Sequence, residues 1–311
     1  MSKLLLKGLI FSILFSACAS SSQHKSEHVT FHDNSVDQPV ITADAKPANL
    51  MDLPQSLDGG FVLSPGLYEA EFKTYCLEPG TPDPRPGDGY YQGPVTGNRK
   101  EIVETVLLNS QHHTDIEQKN IQLLLWSVVS NSDFNKLSYA VQTDAKKLLS
   151  PKQIFELKGG VMGLIKTVSS STGIFSANKD MQKLFEMGTA SYATYEKLAV
   201  LNEASQIQKT GISADHWYKQ EGYYVRYYPV NYKKVKIQVY VPDGVNNVVF
   251  DPTGAQAIPS FTNSQRLGIG GPLLDMVRVI VQVNKQPRNP GKHKFPDSPK
   301  KDTKTNPKYL Q

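Results

Sequence analysis

The chain carries two thiols, Cys18 and Cys76, in 311 residues. A thiol acts as a nucleophile or metal ligand only when it is ionised and reachable; in apolar surroundings it is a small, inert hydrophobe. Cys76 follows Tyr75 at the end of a stretch of alternating apolar and charged residues, and both readings stay open for it. A second group is aromatic. Tyr223, Tyr224, Tyr227 and Tyr228 flank Arg226, with Tyr218, Tyr232 and Tyr240 nearby. On an extended strand Tyr224, Arg226 and Tyr228 share one face, and Tyr240 can lie across from them. Amphipathic rings with few rotors suit recognition surfaces. The same rings also pack as a half-buried sheet face with wet hydroxyls.

Other polar residues promise less chemistry. His24, His28 and His32 recur every four residues and would line one face of a helix as a metal patch, but the Ser- and Thr-containing segment around them is a poor helix. No metal site and no cofactor is therefore expected. His112, His113 and His216 read as loop contacts or packing, and Glu101, Glu104 and Glu221 as solvated surface. The phosphate-cradling loop is missing: Gly268-Ile269-Gly270-Gly271-Pro272 has neither the lysine nor the strand-to-helix setting. Neither His-Glu-x-x-His nor Gly-x-Ser-x-Gly occurs. The expectation leans away from an enzyme.

Composition narrows the classes further. Hydrophobic residues make up 39% and charged residues 20%, an ordinary globular balance. Beyond the first residues no apolar run reaches the roughly 18 needed to span a bilayer, and two cysteines exclude a disulfide-dense scaffold. The net charge of +5 is misleading. The last 28 residues hold eight Lys or Arg against two Asp, so everything before Asn284 sums to −1. The basic character belongs to a tail, and nucleic acid is not an expected partner.

The first residues carry an address. Lys3 and Lys7 precede the apolar Leu9 to Phe15, the pattern of a secretory signal. Phe15-Ser16-Ala17-Cys18 then resembles the lipobox of bacterial lipoproteins, with Phe15 where Leu is usual. The resemblance implies cleavage before Cys18 and a diacylglycerol on its sulfur, and Ala19 in place of Asp implies the outer membrane. Residues 1–17 are then the signal and 18–59 a lipidated flexible tether punctuated by Pro39, Pro47 and Pro54. With Cys18 acylated, Cys76 is the remaining thiol in an oxidising compartment, with no internal disulfide partner.

Residues 60–283 read as an α+β body: an antiparallel sheet packed with a small bundle of helices, the helical part about 99–208 and the β-rich part about 218–283. Leu67 to Cys76 alternates as a half-buried strand. Pro79 to Gly97, with five Pro and five Gly, reads as an irregular loop. Thr114-Asp115-Ile116-Glu117 is a capping-box sequence opening a buried helix, Ser150-Pro151-Lys152-Gln153 is another helix start, and the stripe from Met181 to Leu201 predicts one long helix. Tyr223 to Tyr228 and Val235 to Val241 form a hairpin, with further strands at Val248 to Phe250 and Met276 to Val283. Residues 284–311, rich in Pro and cations, form a disordered basic tail suited to anionic surfaces.

Three short blocks of the body resemble the thioester domains of bacterial surface adhesins: Tyr75-Cys76, the helical Ile121-Gln122-Leu123-Leu124-Leu125-Trp126, and Ile237-Gln238-Val239-Tyr240. Ile121 and Leu124 stand where that family has Thr and Ala. The resemblance implies an internal thioester between Cys76 and Gln238, supported by Tyr75, Gln122 and Trp126. The functional expectation is a surface binding or adhesion lipoprotein that engages an envelope protein or glycan through Tyr224, Arg226, Tyr228 and Tyr240. The alternative is an envelope hydrolase or transpeptidase-like enzyme using Cys76 as nucleophile.

Overall fold

The computed structural model describes residues 38–85, 87–97, 99–160, 172–201, 214–260 and 265–273. The expectations for residues 1–17, Cys18, the three histidines His24, His28 and His32, the strand from Met276 and the basic tail lie outside them. Strands β1 (Ala48–Asn49), β2 (Phe61–Leu63), β3 (Gly66–Cys76), β4 (Thr81–Pro82) and β5 (Tyr90–Gly93) come first. Helices α1 (Lys100–Ser110), α2 (Gln118–Val129), α3 (Tyr139–Leu148), α4 (Pro151–Leu157), α5 (Thr172–Met187) and α6 (Tyr192–Ala199) follow. Strands β6 (Val200–Leu201), β7 (Tyr218–Gln220), β8 (Tyr223–Asn231), β9 (Lys234–Val241), β10 (Val248–Phe250), β11 (Gln256–Pro259) and β12 (Leu267–Pro272) complete the α+β body.

The main sheet closes on itself. β3 pairs β9 from Gly66 to Lys73 and β12 from Phe72 to Cys76. β9 pairs β8, β8 meets β5 at Tyr227 and Tyr90, β5 pairs β11, and β11 returns to β12, every pairing antiparallel. Six strands thus form a barrel, which removes the open edges a flat sheet would expose. Period-two alternation of β-branched and aromatic residues fills its interior. Tyr68 and Phe72 of β3, Val235, Ile237 and Val239 of β9, Val225 and Tyr227 of β8, and Leu267 and Ile269 of β12 all point inward and are buried. Short β1 joins β3 in parallel at Tyr68 and Glu69, and the Leu273 N–H donates to the Glu71 carbonyl a little further along the same edge.

Helix α1 lies against the outside of β12, and glycine makes this possible. A Cβ on Gly268 would come within 2.9 Å of Leu107, one on Gly270 within 2.7 Å of the Tyr75 ring, and one on Gly271 within 2.6 Å of the Gln111 Cα. The Gly-x-Gly-Gly run that carries no phosphate chemistry is therefore the seat of a helix. Helix α2 packs on the end of β3, with α3 and α5 against it.

Four local expectations are corrected. The Pro- and Gly-rich stretch 79–97 contains a barrel strand, β5, all four residues of which pair with β11. Its Gly93 is required because a Cβ there would meet Ile258 at 2.5 Å. Thr114 opens no capping box. Asp115 is drawn to Lys147 at 2.6 Å, Ile116 is buried, and α2 starts one turn later behind Glu117, which makes no side-chain cap. The long helix to Leu201 is two helices, broken at Gly188 (φ +67°) and restarted by Ser191, whose hydroxyl accepts from the Thr194 N–H. Residues 38–59, expected to be tether, lie against the body: Leu50 is fully buried, and the Gln38 side chain exchanges two hydrogen bonds with the Trp217 backbone. The Ser150 capping box forms as expected.

Candidate functional site

Cys76 ends β3, past the point where β9 stops at Lys234 opposite Lys73. On the β9 edge the backbone there has lost its neighbouring strand, and buried N–H and C=O groups must be satisfied by other means. Helix α2 supplies the partners through two glutamines one turn apart. Gln122 Oε1 accepts from the Cys76 N–H at 2.8 Å while its Nε2 donates to the Cys76 carbonyl at 3.0 Å. Gln118 Nε2 donates to the Thr74 and Lys233 carbonyls. A side-chain amide thus replaces a missing strand.

The thiol is fully buried. Burial pushes it up to about 12, and the Trp126 indole N–H, which lies against it without a well-formed hydrogen bond, only partly offsets that rise. Such a thiol is protonated at neutral pH and a poor nucleophile. Around it the Trp126 ring stacks on Tyr192 at 5.8 Å and lies 6.4 Å from Tyr232. The Tyr192 and Tyr232 hydroxyls are 3.0 Å apart, and Tyr232 donates to Glu196, which also pairs with Lys233 at 2.8 Å.

Gln238 does not meet Cys76. In register it stands opposite Glu69, seven positions back along β3, or about 23 Å at about 3.3 Å per residue. Its amide is already engaged: Arg226 Nε donates to Oε1 at 2.9 Å, and Nε2 donates to Glu69 Oε2 at 2.8 Å. Of the four residues expected around Cys76, Tyr75, Gln122 and Trp126 are there and Gln238 is not. Gln122 spans strand and helix in a role the sequence did not single out.

The outward side of β3, β9 and β8 brings the other predicted group together. Tyr224 stands opposite Tyr240, Arg226 opposite Gln238 and Tyr228 opposite Lys236. Tyr224, Arg226, Tyr228 and Tyr240 are all half-exposed. The Tyr224 and Tyr240 rings lie 6.3 Å apart. The Arg226 guanidinium is clamped between the rings of Trp217, at 4.2 Å, and Tyr228, at 5.1 Å, and Nη1 donates to the Asp215 carbonyl at 3.3 Å. The Tyr228 hydroxyl is pushed up to about 12, chiefly by burial, and so remains a neutral donor.

Charged neighbours that sequence reading passed over share this side. Lys234 pairs with Glu71 at 2.9 Å, Lys236 with Glu69 at 3.8 Å, and Lys219 lies over the Tyr224 ring at 5.9 Å. The alternation of Lys234 and Lys236 with inward valine and isoleucine was the available signal. Beside them a cleft of about 360 Å³ opens between Pro47, Asn49 and Met51 on one wall and Glu69, Glu71 and Lys236 on the other.

Among the described residues no cluster of three or more His, Cys, Asp or Glu is placed to hold a metal ion, and no helix is long and apolar enough to cross a membrane. His113 faces Asp115 at 3.7 Å, and the His216 ring meets Tyr218 edge-on. Comparisons of the chain with protein-family models, with curated proteins and with solved structures find no match.

Proposed function

We propose that this chain is a lipid-anchored envelope protein of the outer membrane that works by binding, in surface attachment or assembly, through the outward side of β3, β9 and β8. The observation that carries the reading is the register that gathers Tyr224, Tyr240, Tyr228 and Arg226 onto one side, all of them half-exposed. Arg226 is held by stacking and by hydrogen bonds to Gln238 and the Asp215 carbonyl, so its guanidinium is fixed before any partner arrives, and ordering costs on binding are small. Lys3, Lys7 and the Phe15-Ser16-Ala17-Cys18 block support export and lipidation. The eight Lys and Arg of residues 284–311 support a second, electrostatic hold on an anionic surface. A Cys76-based hydrolase would need an ionised and accessible thiol, which burial opposes.

The test is retention of the purified chain on envelope fragments. A Tyr224→Ala/Tyr240→Ala variant, checked as folded by its unfolding midpoint, loses most of the retention, and deletion of residues 285–311 lowers its salt sensitivity. Full retention by the tyrosine variant would overturn the binding reading. A Cys18→Ala chain that still incorporates palmitate would overturn the anchor.

A further inference from the structure

We propose that this outward side takes an acidic polysaccharide, with one sugar ring seated in the cleft and the polymer's carboxylates over the lysines. This rests on the binding reading above and adds the ligand's chemistry. Charge is the first argument. Lys73, Lys219, Arg226, Lys234 and Lys236 face outward against Glu69 and Glu71, a net +3. Asp215, 3.9 Å from Arg226 at the rim, lowers that to +2. The chain before Asn284 sums to −1, so positive charge is concentrated here.

Two of these cations are held in readiness. Lys73 stands directly opposite Lys234, a like-charge pairing that costs stability within a sheet. Lys234 turns to Glu71, which leaves Lys73 without an ion pair among the described residues. Lys219 rests on an aromatic ring and likewise has no carboxylate partner among them. The pairs Lys234–Glu71 and Lys236–Glu69 are solvent-exposed and worth little, so their cations are shared with a ligand at small cost.

Shape is the second argument. The cleft of about 360 Å³ lies within the size range of small-ligand sites. Pro47 and Met51 offer an apolar wall to the C–H face of a sugar ring, and Glu69 and Glu71 accept from its hydroxyls. The Tyr224 and Tyr240 rings, 6.3 Å apart on the same outward side, offer a further stacking surface to a polymer that runs along the sheet. A single carbohydrate chain satisfies both the hole and the cations.

The full-length protein is titrated by calorimetry with polygalacturonate, with dextran as the uncharged control and with phosphatidylglycerol vesicles. Saturable, salt-sensitive binding of polygalacturonate is expected, with dextran far weaker. Lys73→Glu/Lys219→Glu, which breaks no ion pair among the described residues, weakens it about tenfold without moving the unfolding midpoint. Binding left unchanged by that variant would place the anion elsewhere, on the basic tail for one, and overturn the proposal. Equal binding of dextran would remove its charge argument and overturn it too, and vesicles showing the same loss in the variant would assign the side to lipid instead. Should the tyrosine variant lose envelope retention while polygalacturonate fails to bind, the binding reading stands and the acidic glycan falls.

Discussion

Gln122 shows how much one side chain can carry. It closes both polar groups of a buried residue with a single amide, so its loss strands a donor and an acceptor together. Gln122→Ala is expected to cost about 2–4 kcal/mol in urea unfolding, because each unsatisfied buried group costs about 1–3 kcal/mol. Cys76→Ala should cost clearly less, since the thiol makes no comparable bond. Glu196 carries a pH signature. Burial raises its carboxyl, but hydrogen bonds from Lys233 and Tyr232 outweigh that and hold it below its ordinary range. Its contribution is therefore present above the unfolded-state pKa and is lost as pH falls through the folded one. Neighbouring Asp83 is shifted upward by burial, so its contribution has the opposite sign: present below the unfolded value and lost as pH rises through the folded one. Glu196→Gln should flatten the decline in urea midpoint as pH falls below the ordinary glutamate range, and slightly weaken the Asp83 trend, since the Glu196 charge adds to that upward shift. The tyrosine side was legible from alternation alone, since period two decides which residues share a face. The distance between Cys76 and Gln238 was not, because it depends on where β9 stops along β3.

Elements are held by close backbone approach as much as by side-chain packing. Helix α1 sits on glycines of β12, and Gly271 would place a Cβ 2.6 Å from the Gln111 Cα, an atom that cannot swing aside. Gly271→Ala should therefore destabilise by about 1–3 kcal/mol as the helix is pushed outward, measured as a lower urea midpoint at unchanged slope. Strands with strict alternation, β3, β8 and β9, were readable in the sequence, as was the capped start of α4 at Ser150. Misreadings had local causes. β5 hides among prolines and glycines because its four residues are chosen for close packing on β11. The break between α5 and α6 hides because the apolar stripe continues in phase across Gly188, so periodicity alone sees one helix.

For the whole molecule, α+β character was legible and barrel closure was not. Closure needs β5 to join β8 to β11, and β12 to find β3 nearly two hundred positions away in sequence. No local pattern encodes such a pairing. The boundary between tether and body shifted for a similar reason: Gln38 and Leu50 are ordered by partners far along the chain. The incoming chain at Asn49 and the outgoing chain at Leu273 leave β3 at Glu69 and Glu71, two residues or about 7 Å apart. A loop of a few residues could splice the two ends, with fresh termini opened at Gly244 in the exposed turn after β9. Such a rewired chain should keep the parent's circular dichroism and lose only a few degrees of melting temperature. A collapse of the spectrum would mean that the two exits are not neighbours.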